Sequence, residues 1–309
     1  MVYTKIDVID ASMLLRVATR STPLAVAQTA LVVDLIRAHV PRISVETVPV
    51  TTVGDGDDRP IRDMGQRGVF TKAVQDLLLV GSADLAVHSL KDLPTDPVPG
   101  LTVAAVPARA DPRDALVAGA RSSLSALPAR ARVGSGSPRR EAQVRLARPD
   151  VEVVPLRGSV GTRVAAVLEG RIDATLLAVA GLQRIGLVDA VSSLLEPPDF
   201  LPAPGQGALA VEVQEDRSDL LSILRDIDDY VSRATTTAER ALLHALQGGC
   251  SLPLGALATV RGELLVLQAA VFGRDGPLSV TGEGILSDAE DIGRRAAAEL
   301  LDRTSQGLL

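Results

Sequence analysis

The chain has 309 residues, 46% of them hydrophobic, and a formal net charge of −6 at neutral pH. This length exceeds what one hydrophobic core usually serves, so we expect two or three domains. The acidic balance argues against a nucleic acid partner, which would favour a basic surface. One cysteine cannot form an internal disulfide, and the three histidines, His39, His88 and His244, are too scattered to predict a metal site.

The apolar runs and the N-terminal region are typical of a soluble cytoplasmic protein. No stretch approaches the roughly 18 consecutive apolar residues of a membrane-spanning helix. Asp7 and Asp10 precede the first apolar run, and no small-residue cleavage site follows it. We therefore expect no signal peptide.

Apolar strand-like runs alternate with helical periods through most of the chain, which is the pattern of α/β domains. In the first part we predict strands over 14–18, 45–50, 85–87 and 101–106, a helix from Pro23 to Pro41 and another over 69–80. The second part predicts strands over 132–133, 151–156 and 174–179, a helix opened by Ser137-Pro138 and another over 160–169. A Pro-rich linker over 196–207 then precedes a strand over 208–213.

The last part of the chain has a different pattern. It predicts a helix over 231–246, strands near 255–260, 263–272 and 277–283, and a helix over 288–303. Such an order is typical of an α+β domain. We predict a first domain of residues 1–107 and 208–226, a second of residues 112–201, and a third of residues 230–309.

Arginines recur where a predicted strand passes into a helix. They are Arg20, Arg139, Arg140, Arg157, Arg163 and Arg184. Free backbone N–H groups and the helix dipole favour anions at such junctions, and arginine adds a bidentate fork for carboxylate or phosphate. One arginine alone would be an ordinary surface residue, but six at similar junctions predict a cleft for a polyanion. The sequence has no P-loop or dinucleotide fingerprint, so several carboxylates are favoured over a nucleotide, while phosphate esters stay open.

Three further segments carry candidate functional groups. In VHSLKDLP (87–94), Lys91 and Asp92 are either a surface ion pair or a site where a carboxylate stabilises a cation formed during reaction. In GGCSLP (248–253), two glycines permit a turn that presents Cys250, and the alternative is a small buried thiol. Residues 51–67 contain few apolar side chains, so they form either a mobile lid or an ordinary surface loop.

Ten segments, taken in order, resemble the porphobilinogen deaminase family. They are ATRSTPLAVAQ (18–28), GDGDDRPIRDMGQRGVF (54–70), ADLAVHSLKDLPT (83–95), DPRDAL (111–116), VGSGSPRREAQ (133–143), LRGSVGTR (156–163), LAVAGLQRIGL (177–187), LPAPGQGALAVE (201–212), TAERALL (237–243) and GGCSLPLGA (248–256). Each segment alone is weak, but ten in register are highly specific. The resemblance implies two hinged α/β domains of the periplasmic-binding-protein-like type plus a small C-terminal α+β domain.

This resemblance implies a transferase of tetrapyrrole (haem) biosynthesis. Such an enzyme condenses four molecules of porphobilinogen into the linear tetrapyrrole hydroxymethylbilane and releases ammonia. The growing product would hang from a dipyrromethane cofactor in thioether linkage to Cys250. Asp92 would be the catalytic carboxylate that stabilises the azafulvene cation left when ammonia departs. The family also suggests a monomer whose partner is porphobilinogen, without nucleic acid, membrane or metal.

The resemblance also assigns roles to individual residues. Cofactor binding is implied for Cys250, Lys91, Asp92, Ser137, Arg139, Arg140, Arg157, Gly158 and Arg163. Substrate binding is implied for Arg20, Thr22, Gln28, Arg157, Arg163, Arg184 and Gln206. The implied lid residues are Asp55, Arg67 and Phe70, within a segment that departs from the family pattern at Val53, Asp63 and Arg67.

Two other classes of protein compete with the enzyme. Two α/β lobes around a cationic cleft also describe a solute-binding protein, although a cysteine loop on a third domain has no role there. A catalytically inactive relative with a regulatory task is the other alternative. The mass of the intact chain distinguishes them, since a covalent cofactor adds mass to the chain.

Overall fold

The computed structural model describes residues 14–52, 71–119, 122–247, 252–273 and 276–305. The strands are β1 (Leu14–Arg20), β2 (Ser44–Val50), β3 (Leu85–Ser89), β4 (Leu101–Ala105), β5 (Asp114–Ala118), β6 (Arg132–Ser135), β7 (Glu152–Pro155), β8 (Ala174–Ala178), β9 (Ser193–Leu195), β10 (Leu209–Gln214), β11 (Leu254–Arg261), β12 (Leu264–Gly273) and β13 (Gly276–Ile285). The helices are α1 (Pro23–His39), α2 (Lys72–Leu79), α3 (Pro138–Ala147), α4 (Val160–Leu168), α5 (Val179–Arg184), α6 (Ser218–Leu224), α7 (Tyr230–Ala245) and α8 (Ala289–Ser305).

The first sheet has the strand order β2-β1-β3-β10-β4. β1 runs parallel to β2 and β3, whereas β10 runs antiparallel to β3 and β4. Apolar clusters cover both faces, one of them including Val32 and Ile36 of α1, the other Val74 and Leu78 of α2. Burial on both faces explains why the central strand β3 begins with the apolar run Leu85-Ala86-Val87 rather than with an alternating pattern.

The second sheet repeats this arrangement with the order β7-β6-β8-β5-β9. β6 runs parallel to β7 and β8, and β5 runs antiparallel to β8 and β9. In each sheet the antiparallel strand next to the middle is the one that the chain enters directly after crossing over from the other sheet. The expected α/β class is confirmed: the chain forms two α/β lobes joined by two crossings.

The two crossings run side by side. The amide N of Ala110 donates to the carbonyl O of Gly207 at 3.3 Å. Gly207 has φ +89°, and a Cβ atom there would lie 2.5 Å from the carbonyl O of Ala110. Only glycine permits this approach, because any side chain would separate the crossings.

The third sheet is antiparallel, with the order β11-β12-β13, and it packs against α7 and α8. Leu242, Leu265 and Ile292 are fully buried in the core between the sheet and these helices. β13 alternates between exposed and half-buried residues, as expected for a strand with one face in solvent. The predicted small α+β unit at the C-terminal end is confirmed.

Most predicted elements are present, within a few residues at their ends. α2 begins at Lys72 rather than at 69, and residues 53–70 lie outside the described residues. The short elements β5, β9, α5 and α6 were not predicted. The Pro-rich stretch 196–207 connects the sheets as predicted, but it is packed rather than loose, since Leu201 and Gln206 are buried. In the described ranges no helix is long and apolar enough to cross a membrane.

Candidate active site

The candidate residues lie where strands end and helices begin. A short 3-10 turn, Leu90–Asp92, follows β3 directly and carries Lys91 and Asp92. The Ser137 hydroxyl accepts from the amide N of Arg140 and so caps α3. Ser159 caps α4 in the same way by accepting from the amide N of Thr162. These caps explain why polar and Gly-rich loops stand at these junctions, and they confirm the predicted placement of the arginines around α3 and α4.

Charged side chains from both lobes act on one another across the gap between the sheets. Beyond the effect of burial, the positive charges of Arg140 and Arg139 lower the pKa of Lys91, and the negative charge of Asp92 raises it. In the same way, beyond burial, Arg140 and Arg157 lower the pKa of Arg163, and Asp92 raises it. We call this set the charge cluster. Its members are Lys91, Asp92, Asp114, Arg139, Arg140, Arg157 and Arg163.

Cations outnumber carboxylates in the charge cluster. Burial, together with the charge of Arg140, lowers the pKa of Lys91 to about 8. Burial and the neighbouring guanidiniums of Arg140 and Arg157 lower the pKa of Arg163 to about 10. Both shifts disfavour the charged form, so nearby negative charge on a ligand would stabilise these cations. A ligand with several carboxylates would supply that charge.

Arg139 and Arg140 share one buried carboxylate that sequence analysis did not single out. Arg139 Nη1 lies 2.8 Å from Asp114 Oδ2, and Arg140 Nη2 lies 2.7 Å from Asp114 Oδ1. Burial alone would raise the pKa of Asp114, but the two guanidiniums hold it well below its usual range. The Nε atoms of both arginines are buried and have no hydrogen-bond partner among the described residues.

Gln206 connects this carboxylate to the turn after β3. Its Nε2 donates to Asp114 Oδ1 at 2.8 Å and to the carbonyl O of Pro112 at 2.8 Å. Its Oε1 accepts from Lys91 Nζ at 3.2 Å. The side chain therefore joins the two lobes through polar contacts.

The residues at the start of α1 lie beside the second lobe. The Thr22 hydroxyl caps α1 by accepting from the amide N of Ala25 at 3.3 Å. Gln28 Nε2 donates to Ser89 Oγ at 2.8 Å, which ties α1 to the end of β3. A Cβ atom on Gly181 of α5 would lie 3.8 Å from the Leu24 side chain. Arg20, half-buried at the end of β1, lies three positions before Pro23, the first residue of this helix.

Arg184 corrects one prediction. We expected it near the N-terminus of a helix, but it lies in the last turn of α5, because that helix begins directly after β8. Its Nη2 donates to the carbonyl O of Gly207 at 2.7 Å, and burial lowers its pKa to about 10. Arg184 is therefore placed at the second crossing. Gly158, with φ +104°, allows the turn in which its carbonyl O accepts from Arg163 Nε at 2.9 Å.

Sequence analysis also missed Arg240, on α7. Its Nη1 donates to the carbonyl O atoms of Leu90 at 3.2 Å and Leu93 at 2.7 Å, and its Nη2 donates to that of Pro94 at 2.8 Å. These acceptors flank Lys91 and Asp92. The turn that carries the candidate catalytic carboxylate is thus held by a helix of the third unit.

Glu239, the neighbour of Arg240 in the chain, is fully buried and was also missed. Its carboxylate accepts from Arg109 Nη1 at 2.7 Å and Nη2 at 2.9 Å. It also accepts from the amide N atoms of Gly205 and Ala258, at 2.7 and 2.8 Å. Glu239 therefore joins both crossings to the third sheet. The sequence signal was an acidic residue in the segment TAERALL, within the predicted helix over 231–246.

Several predicted residues lie outside the described residues. They are Cys250 and the lid residues Asp55, Arg67 and Phe70. In the part of the chain that the structure does describe, no group of three His, Cys, Asp or Glu side chains could hold a metal ion.

The fold and the site define a two-lobed α/β protein whose sheet ends hold a cation-rich cluster around the half-buried carboxylate of Asp92. Two family models match the chain. "Porphobilinogen deaminase, dipyromethane cofactor binding domain" matches residues 15–222, and "Porphobilinogen deaminase, C-terminal domain" matches residues 234–302. The chain belongs to the porphobilinogen deaminase family, as the resemblance of its motifs predicted.

Curated relatives match over nearly their whole length. The porphobilinogen deaminase of Roseiflexus sp. (strain RS-1) is 45% identical over 296 residues, which are 95% of this chain and 97% of the relative. That of Xanthomonas oryzae pv. oryzae (strain PXO99A) is 45% identical over 298 residues, covering 96% and 98% of the two chains. Among solved structures, the periplasmic VFT2 domain of Bordetella pertussis BvgS has a TM-score of 0.40 at 16% identity, covering 69% of this chain and 86% of that one. Likeness at that level supports no conclusion about function.

Proposed function

We propose that the chain is a transferase that joins four porphobilinogen molecules into hydroxymethylbilane, with release of ammonia, on a covalently attached dipyrromethane cofactor. Family membership supports this reaction and this cofactor. The observation that carries the proposal is the charge cluster, in which five cations from two lobes surround Asp92 and Asp114. Such a set of charges suits a ligand with many carboxylate arms and one reaction centre that becomes positive.

The described residues fit the cofactor. The buried Nε atoms of Arg139 and Arg140 have no hydrogen-bond partner among the described residues, and cations outnumber carboxylates in the charge cluster. When bound, the dipyrromethane supplies the primer to which pyrrole units are joined. The residues that would hold it are Lys91, Asp92, Ser137, Arg139, Arg140, Arg157, Gly158 and Arg163, with Cys250 as the point of attachment. A thiolate suits that role because it is the strongest nucleophile that a side chain offers near neutral pH.

Asp92 is the catalytic residue of the proposed reaction. Positive charge develops on the substrate as ammonia leaves its aminomethyl carbon, and a fixed carboxylate stabilises that charge most where solvent is excluded. The turn of Asp92 is held by three carbonyl contacts with Arg240. The carboxylate therefore needs little reorganisation when the charge appears.

Substrate carboxylates would be bound around the cleft. The proposed residues are Arg20, Thr22, Gln28, Arg157, Arg163, Arg184 and Gln206. The position of α1 beside α5, and the contact of Arg184 with the second crossing, support this assignment. Arginine suits these positions because its planar fork matches a carboxylate.

The function is tested by the mass of the intact chain under denaturing conditions, followed by assay with porphobilinogen. We expect an added mass of two linked pyrrole units on the wild-type chain and release of ammonia during turnover. Cys250→Ser should carry no added mass and should lose activity. An unmodified wild-type chain from cells that make porphobilinogen, inactive with its substrate, would favour a non-catalytic binding protein.

The pH dependence of kcat/KM should report Lys91. This residue has a pKa of about 8, so its ammonium is present below that pH and is lost as the pH rises through it. Loss of the cation weakens carboxylate binding, so we expect kcat/KM to fall as the pH rises through about 8. In Lys91→Arg the guanidinium stays charged, and the decline should leave this range. If kcat/KM of Lys91→Arg still falls over the same pH range, a group other than Lys91 is responsible for the decline.

We also propose a monomer located in the cytoplasm, acting on a small molecule rather than on nucleic acid or membrane. The net charge of −6 supports a small-molecule substrate. Sedimentation of the purified protein tests the monomer. The division into domains of residues 1–107 with 208–226, 112–201 and 230–309 is likewise proposed, and the assignment of strands to the three sheets supports it.

A further inference from the structure

Two adjacent arginines on a helix do not naturally point the same way. Successive residues of an α-helix project about 100° apart, and like charges repel. Arg139 and Arg140 occupy the first turn of α3, yet both guanidiniums meet at Asp114, on β5 of the same lobe. The shared carboxylate draws them together, with one arginine on each of its oxygen atoms.

Stability alone does not explain this triad. All three side chains are buried, at 4%, 7% and 0% exposure for Arg139, Arg140 and Asp114. A buried group of two cations and one anion keeps an excess positive charge away from water, and well-packed apolar residues would often be at least as stable. The arrangement is explained if the excess charge and the spare Nε donors serve a ligand carboxylate.

A second contact connects Asp114, in the second lobe, to the first lobe. Gln206 donates from Nε2 to Asp114 Oδ1 and accepts from Lys91 through Oε1. Lys91 adjoins Asp92 in the chain. The position of the Asp114 carboxylate therefore fixes the arginine pair and, through Gln206, the ammonium next to the catalytic carboxylate.

From these contacts we infer that Asp114 is a positioning residue for the cofactor: it holds the guanidiniums of Arg139 and Arg140 as a pair with one net positive charge, matched to a single carboxylate arm of the dipyrromethane. This role rests on the proposed function. Asp114 itself touches neither cofactor nor substrate. Its effect is exerted through the arginines on one side and through Gln206 on the other.

The test is the Asp114→Asn variant, with Asp111→Asn as its matched control. Asp111 lies three positions earlier in the same segment and pairs with Arg113 at 2.7 Å, apart from the cluster. We expect intact mass to show that most Asp114→Asn chains lack the cofactor, while Asp111→Asn chains carry it as the wild type does. In the loaded fraction of Asp114→Asn, kcat/KM should fall roughly 10- to 100-fold, as when an outer partner of a binding group is removed.

Circular dichroism separates positioning from unfolding. If Asp114→Asn does not fold, Asp114→Glu keeps the charge but displaces the carboxylate by one methylene, and it should fold with a reduced loaded fraction. Full loading and wild-type kcat/KM in the folded variant would overturn the inference. The proposed function fails separately, in the case that the wild-type chain carries no added mass.

Discussion

In chains that carry the cofactor, Asp92→Asn should lower kcat by at least about 10²- to 10³-fold while the protein stays folded. Removing one preorganised group that stabilises charge in a transition state has an effect of this size. Asp92 lies among cations of both lobes, and Arg240 holds its turn through the carbonyls of Leu90, Leu93 and Pro94. The amide keeps the shape of the carboxylate but not its charge, so the loss reports charge stabilisation.

Asp96→Asn is the control for this variant. Asp96 lies four positions further along the same loop, where its exposed carboxylate is 3.4 Å from His244 Nδ1. An exposed pair contributes at most about 1 kcal/mol to stability, so Asp96→Asn should retain wild-type kcat. Single-turnover assays and intact mass distinguish lost chemistry from lost cofactor. A normal rate in Asp92→Asn would move the catalytic role to another carboxylate.

Glu239→Ala should lower the free energy of unfolding by about 3–5 kcal/mol, the range for breaking a buried ion pair from one side. The substitution leaves the Arg109 guanidinium buried without its partner, and it also leaves the amide N atoms of Gly205 and Ala258 without acceptors. Urea denaturation followed by circular dichroism measures the change. Because Glu239 joins the crossings to the third sheet, the C-terminal α+β unit should separate from the two lobes before the sheets of those lobes unfold.

An exposed ion pair provides the comparison for Glu239. Glu141 pairs with Arg145 one turn later on α3, at 3.0 Å, and Glu141→Ala should lower stability by only about 0.5 kcal/mol. The double variant Arg109→Met/Glu239→Met removes both charges and should regain part of the loss. Recovery stays incomplete because the two amide groups remain unpaired. A loss below about 1 kcal/mol in Glu239→Ala would show that water replaces the carboxylate.

The strands and long helices could be predicted because their local signals agree with their packing. Thr22-Pro23 and Ser137-Pro138 place an N-cap before a proline, and both helices begin there. β5 was missed although its five residues are buried, since a short apolar run that starts with Asp114 carries no periodicity. α5 was missed because it follows β8 without any turn residue.

The sequence marked most of the candidate cations and Asp92, but not the buried acids Asp114 and Glu239 or the cation Arg240. Arginines at strand-to-helix junctions have a local explanation, so sequence position alone marked them. Asp114, Glu239 and the role of Arg240 depend on contacts between residues 19 to 150 positions apart in the chain. Such partners are set by the crossing of the chain between sheets, which no local pattern reports. For Asp114 the available signal was an acid at the start of an apolar run, DALVA.

The adjacent residues Glu239 and Arg240 place two separate attachments on one turn of α7. Because neighbouring side chains project about 100° apart, Glu239 contacts the inter-lobe crossings from one face of the helix and Arg240 contacts the turn of Asp92 from another. A rotation or shift of α7 would therefore break the contacts of Glu239 and those of Arg240 at the same time. On gradual warming, activity should therefore be lost at a lower temperature than the β-sheet structure. Activity requires both sets of α7 contacts to be in place, whereas the sheets require only that their hydrophobic cores stay packed.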